Sequence, residues 1–155
     1  MNVRSKSYVK KNVKHERGYV YNFHFHLIWV TKYRKQIFNT PRFAKEMLTI
    51  LQNIANQNEI EIEKGEVMLD HIHLLISFKP KYAPANIVKV LKGVSAREWF
   101  KIHPETRQIV WGGHLWSPSY YMGTLGDMSK ETVEHYIENQ RTERGKAGRP
   151  LLKRN

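Results

Sequence analysis

Hydrophobic periodicity along this chain switches between two residues and about 3.6 in a fixed order, and that order restricts the fold more than any other feature. Residues 19–30, Tyr-Val-Tyr-Asn-Phe-His-Phe-His-Leu-Ile-Trp-Val, alternate and are rich in aromatic and β-branched types, which predicts a strand. Thr40 and Pro41 supply a helix start, as cap and first helical residue. Phe43, Met47, Ile50, Leu51 and Ile54 then fall on one helical stripe that ends near Asn58. A strand follows in which Ile60 and Ile62 alternate with glutamates until Gly65 breaks the pattern, and residues 67–78 predict the next. After Pro80 and Pro84, residues 85–103 read as a second helix with Ile87, Val90, Leu91 and Val94 inward and Lys89 and Lys92 outward. Pro104 stops it. Trp111–Pro118 is a loop, a short strand lies around Tyr120–Leu125, and Ser129 with Thr132 opens a third helix.

The order β-α-β-β-α-β is the split-βαβ arrangement of ferredoxin-like, RRM-like domains. It predicts an α+β fold with one four-stranded antiparallel sheet, two helices on one face and an additional C-terminal helix carrying Tyr136. The second face of the sheet is left for function. Residues 1–17 are polar, basic and aperiodic and are expected to form a flexible arm. Residues 18–142 make a single domain, and 143–155, with Gly148-Arg149-Pro150, a flexible basic tail.

Composition narrows the function. A chain of 155 residues that is 41% hydrophobic and 12% aromatic can bury a real core, so it is globular rather than disordered. With no cysteine there is neither a disulfide framework nor a thiolate site, and any metal must take nitrogen and oxygen ligands. No apolar run reaches membrane-spanning length and the basic start is not followed by an apolar segment, so a cytoplasmic protein without membrane association is expected. The net charge of +12 attracts polyanions, of which nucleic acid is the commonest.

Chemistry concentrates in Asp70-His71-Ile72-His73-Leu74-Leu75-Ile76. On a strand, His71 and His73 project side by side, while Ile72, Leu74 and Ile76 line the opposite face and anchor it in the core. Two imidazoles on a rigid element suit one divalent metal with an open side for substrate. His24-Phe25-His26 has the same spacing, so spacing alone does not choose between the pairs. On the third helix Tyr136 and Gln140 are four residues apart and share a face, flanked by Val133 and Ile137. A phenol is a weak acid that needs activation to act as a nucleophile, and a carboxamide oxygen can complete a metal shell begun by two imidazoles.

With these segments in view, the chain resembles the single-tyrosine HUH transposases of the IS-two-hundred group of insertion sequences. The matching stretches are His26–Arg34, Asp70–Ile76, Leu115–Tyr121 and Tyr136–Gln140, in the family's order over roughly residues 20–141. The resemblance implies an enzyme that cuts single-stranded DNA at the ends of a mobile element. Tyr136 would attack a phosphodiester, keep a 5′-phosphotyrosine and release a 3′-OH, with Mg²⁺ or Mn²⁺ held by His71, His73 and Gln140. Rejoining would need no nucleoside triphosphate. One tyrosine per subunit and two ends to exchange imply a homodimer, and the family recognises imperfect hairpins.

Substrate capture is expected to combine basic residues on phosphates with aromatics on unstacked bases. Lys32, Arg34, Lys35, Lys89, Lys92 and Arg97 are the candidate phosphate contacts. Trp111 and Trp116 are placed either to stack bases or to plug the core. Two other functions fit the same features: a domesticated enzyme acting on host repeats, and a non-catalytic ferredoxin-like module that binds single-stranded nucleic acid.

Overall fold

The computed structural model describes residues 14–16, 19–21, 24–124, 131 and 134–139. In chain order the elements are β1 (Lys14–Glu16), β2 (Tyr19–Tyr21), β3 (Phe25–Val30), α1 (Pro41–Gln57), β4 (Ile60–Val67), β5 (His71–Phe78), α2 (Pro84–Ile102) and β6 (Tyr121–Thr124). Residues 134–139 are helical. Strands β4-β5-β3-β6 form one four-stranded sheet in which every neighbouring pair is antiparallel. This is the expected α+β arrangement.

The sheet's two faces follow from strand parity. Phe25, Leu27 and Trp29 of β3 lie opposite Ile76, Leu74 and Ile72 of β5 in register. Of these, all but the partly buried Phe25 are completely buried, and they pack with Met47, Leu51, Ile87, Leu91 and Trp99 from the two helices. Both helices therefore cover one face. The start of α1 is as the sequence predicts: Pro41 is at the first helical position and the Thr40 hydroxyl accepts from the Phe43 N–H at 3.1 Å. Thr40→Ala is expected to cost about 1 kcal/mol in a urea unfolding titration, since it orphans a backbone donor. An unchanged midpoint would show that the Thr40 hydroxyl does not stabilise the helix start.

Three boundaries differ from the periodic reading. The strand expected over 19–30 is divided, because β2 pairs with β1 in a separate two-stranded sheet, Glu16 facing Tyr19, while β3 belongs to the four-stranded one. Gly65 does not end β4. The strand runs on to Val67 after an irregularity between Ile62 and Lys64. A Cβ on Gly65 would stand 2.8 Å from Leu48 Cδ1, so the glycine lets α1 come close to the strand. The strand expected over 67–78 begins only at His71, because Val67 still belongs to β4 and the chain reverses at Leu69-Asp70, with Met68 N–H donating to His71 O at 2.8 Å. That turn contains neither glycine nor proline, which is why the apolar run hid it. The expected cap residues Ser129 and Thr132, the Gly145–Asn155 tail and Gln140 lie outside the described residues.

Trp116 is a core residue: its ring meets Trp29 edge-on at 5.5 Å, and its indole N–H donates to Ser95 Oγ at 3.0 Å. Trp111, in contrast, is 72% exposed.

Candidate active site

Parity puts His71 and His73 on the face opposite the helices. Val30 pairs with His71 and Ile28 with His73, so His24 and His26 stand on that same face. His26 is the diagonal neighbour of His73, and His26 Nδ1 lies 2.9 Å from His73 Nε2. His24 Nδ1 is 2.9 Å from the carboxylate of Glu63, which also accepts from the Ser77 hydroxyl. The face is closed at its centre, because Ile28 and Val30 are buried as completely as the core residues on the other side.

Asp70, at the turn into β5, orients the first histidine. Its Oδ1 is 3.0 Å from His71 Nδ1, and its Oδ2 is 2.8 Å from Arg34 Nε and 2.8 Å from Arg34 Nη2. Burial raises the Asp70 carboxyl, but the His71 hydrogen bond and the Arg34 charge outweigh it and hold the group below its ordinary range. With the Asp70 carboxylate accepting at Nδ1, His71 presents Nε2 as a lone-pair donor, the carboxylate–histidine arrangement that serves metal ligation. His73 is pushed down to about 4 by burial and then by the neighbouring His26 imidazole. At neutral pH it is therefore an uncharged imidazole. Among the described residues no hydrogen bond occupies His71 Nε2 or His73 Nδ1. Two imidazoles on one strand, one oriented by a carboxylate and the other held neutral, fit a divalent metal. The described residues contain no cluster of three or more histidine, cysteine or acidic ligands, so a complete shell calls on further oxygen donors.

The tyrosine comes to the same face from the C-terminal helical segment. Tyr136 packs on Tyr121 with ring centroids 5.9 Å apart, and its hydroxyl is 3.4 Å from Ser119 Oγ. Ile28 pairs with both Tyr121 and His73, so Tyr121 lies two strands from His73, about 10 Å away. Burial raises the Tyr136 hydroxyl above its ordinary pKa, with the Ser119 hydrogen bond pulling weakly the other way, so the phenol is neutral at pH 7. Arg34 Nη1 donates to the carbonyl of Ile137, the next residue, at 3.1 Å. Tyr136 hydrogen-bonds neither histidine.

Residues 19–140, most of the chain, match the family described as "Transposase IS200 like". The chain belongs to that family. It is 44% identical over 128 residues to the ISDra2 transposase TnpA of Deinococcus radiodurans, covering 83% of this chain and 91% of that one. It is 26% identical over 142 residues to the transposase for insertion sequence element IS200 of Salmonella typhimurium, covering 92% and 90%. A crystal structure of a Deinococcus radiodurans R1 protein assigned as a transposase superimposes with a TM-score of 0.77 at 44% identity, covering 82% of this chain and 97% of that one. The chain is thus an IS200-like transposase, a DNA-cleaving and DNA-transferring enzyme.

The six basic residues singled out in the sequence of this transposase occupy different settings. Lys32 lies beside the site, its Nζ 5.2 Å from the Tyr33 ring, which meets the exposed Trp111 edge-on at 6.4 Å. Lys35 is half-buried after the same turn. Arg34 is bound to Asp70 and Ile137. Lys89 and Arg97 are exposed on α2, on the far side of the sheet from the histidines. Lys92 is not on the outer side of α2: its ammonium donates to the carbonyls of Ser117 and Ser119 at 2.8 and 3.0 Å, and burial lowers its pKa to about 8. Lys92 and Arg97 also line a groove of about 390 Å³ with Phe100, Arg107 and His114, two basic partners that sequence reasoning missed. No described helix is long and apolar enough to cross a membrane.

The lowered pKa of His73 gives a stability prediction. Its folded value of about 4 lies below the ordinary 6.5, so the unfolded chain takes up the proton first. Its contribution is complete above about pH 6.5 and is lost as pH falls towards 4, by at most about 3 kcal/mol. Urea midpoints should therefore fall less between pH 7 and 4.5 in His73→Gln than in the wild type. Equal slopes would contradict a buried neutral imidazole.

Proposed function

We propose that this transposase cleaves and rejoins single-stranded DNA at insertion-sequence ends through a 5′-phosphotyrosine formed by Tyr136. The observation that carries the reading is a half-buried tyrosine on the same face of the sheet as the histidine pair, with Arg34 hydrogen-bonded both to Asp70, which orients His71, and to the Ile137 carbonyl beside Tyr136. In the cleavage step a bond forms between the Tyr136 oxygen and phosphorus while the bond to the 3′ oxygen breaks. The phenol gives up its proton and the departing oxygen gains one, leaving a 3′-OH. The phosphotyrosine keeps the phosphodiester's bond energy, so a new 3′-OH reverses the step without an external energy source.

His71 and His73, with Gln140 as the third ligand, would hold Mg²⁺ or Mn²⁺. That ion would neutralise charge on the scissile phosphate and make phosphorus more electrophilic. Asp70 keeps the His71 imidazole in the tautomer that presents Nε2. Burial keeps Tyr136 protonated until a phosphate is in place, which limits reaction of a free phenolate. Its contacts with Ser119 and Tyr121 rather than with either histidine are compatible with a homodimer in which the tyrosine segment of one subunit serves the histidines of the other.

Lys32, Lys35, Lys89, Arg97 and the Lys92 groove supply phosphate contacts, and Trp111 with Tyr33 offers stacking surface for the unpaired bases of hairpin ends. A cytoplasmic location follows from such a substrate. The test is to incubate the protein with single-stranded DNA from the flanks of its own gene, with Mg²⁺ or Mn²⁺ or with chelator, and to look for a covalent adduct on a denaturing gel. An adduct that needs both metal and single-stranded DNA supports the reading. Hairpin binding without any adduct, on either strand, points instead to a binding module.

A further inference from the structure

Arg34 stands apart from its basic neighbours in backbone, burial and partners. It follows Tyr33 in a short turn where both residues adopt positive φ, 57° and 54°, although neither is glycine. Such conformations are uncommon for residues with a Cβ, and two in succession persist only where surrounding contacts hold them. Here Arg34 N–H donates to Thr31 O at 3.0 Å and the Thr31 hydroxyl to Lys35 O at 2.7 Å, closing the turn from both ends. The turn sends the side chain inward. Only 10% of it is exposed, which leaves little of the guanidinium for a phosphate.

The fork is divided between two parts of the site. Nε and Nη2 share Asp70 Oδ2, whose other oxygen holds His71, and Nη1 reaches the carbonyl beside Tyr136. No other described residue has hydrogen bonds to both Asp70 and the 134–139 segment. A lysine would carry the charge but not this planar set of donors.

We propose that Arg34 is a positioning residue that couples the metal-binding histidine to the tyrosine helix, rather than a phosphate contact; this rests on the roles given above to His71 and Tyr136. By aligning Asp70 it fixes the His71 imidazole, and by bonding Ile137 it seats the segment that carries the nucleophile. Coupling of this kind is reciprocal: a cation at His71 steadies Asp70 and Arg34 and so the tyrosine helix, and a seated helix favours the cation.

The test uses the full chain as wild type, Arg34→Lys and Asp70→Asn. Three quantities are measured: Mn²⁺ affinity without DNA, amide hydrogen exchange of residues 134–139 with and without Mn²⁺, and oligothymidylate affinity against salt. In the wild type Mn²⁺ should slow exchange in 134–139. Arg34→Lys should weaken Mn²⁺ about tenfold or more, speed exchange in that segment and abolish its response to Mn²⁺. Its oligothymidylate affinity and salt slope should stay those of the wild type. Asp70→Asn, which keeps the size and the hydrogen-bonding oxygen, should reproduce the loss of Mn²⁺ affinity and of the response.

A salt slope reduced by about 0.7, with Mn²⁺ affinity and exchange unchanged, would make Arg34 a phosphate contact and overturn the proposal. So would exchange that rises equally in β3 and β5, or an Arg34→Lys chain that does not fold while Asp70→Asn keeps wild-type Mn²⁺ affinity, since either marks a role in folding alone. None of these readouts needs DNA cleavage. Absence of the covalent adduct would therefore count against the proposed reaction without deciding the coupling.

Discussion

His71→Ala is expected to abolish DNA cleavage while leaving hairpin binding intact. His71 is the imidazole that Asp70 orients, so its removal takes away the proposed metal ligand. Losing charge stabilisation at a phosphoryl transition state costs at least about 10²–10³ in rate, and a two-histidine site reduced to one is expected to lose more. Binding should survive, because the proposed phosphate and base contacts lie on Lys32, Trp111 and the α2 groove rather than on this imidazole. The fold should survive too: His71 sits at the start of β5, on the face away from the core, and its backbone ladder to Val30 is retained. Single-turnover cleavage and a filter-binding titration on the same preparation check both halves. Full cleavage by the variant would remove the metal role from His71.

Tyr136→Phe is the second large effect. The substitution deletes one oxygen, keeps the ring packed on Tyr121 and loses only a long hydrogen bond with Ser119. Stability should change by less than about 1 kcal/mol. Cleavage should fall by about 10⁴-fold or more, the scale expected when a covalent nucleophile is deleted. A variant that folds, binds hairpin DNA and still cuts would place the nucleophile elsewhere. The neighbouring Tyr121, whose ring faces Tyr136, would be the next candidate.

What was legible in the sequence followed from periodicity. Alternation alone assigned Ile72, Leu74 and Ile76 to the core and His71 and His73 to the other face, and the element order gave the sheet. Contacts between strands were not legible in the same way. By spacing His26 belongs to a second, competing pair, yet it touches His73 because β3 and β5 are neighbours in the sheet. Pairing the two identical His-x-His patterns across the adjacent strands of a ferredoxin-like sheet would have found it. Asp70 stood in the motif without a role because a turn lacking glycine and proline leaves no local signal. Lys92 reads as an outward cation and Arg34 as one more candidate phosphate contact, since charge in a sequence does not reveal a carbonyl or carboxylate brought up by distant segments. Nor did alternation show that Ile28 and Val30, on the histidine face, are fully buried.

The tyrosine chemistry is tested most directly by trapping the covalent protein–DNA adduct formed with metal, digesting it with protease and nuclease, and sequencing the nucleotide-bearing peptide by mass spectrometry. A single modified peptide is expected, with the 5′-phosphate of the cleaved strand on Tyr136 and no adduct from Tyr136→Phe. Modification of Tyr121 or of any other residue, or cleavage that leaves no covalent intermediate, would contradict it.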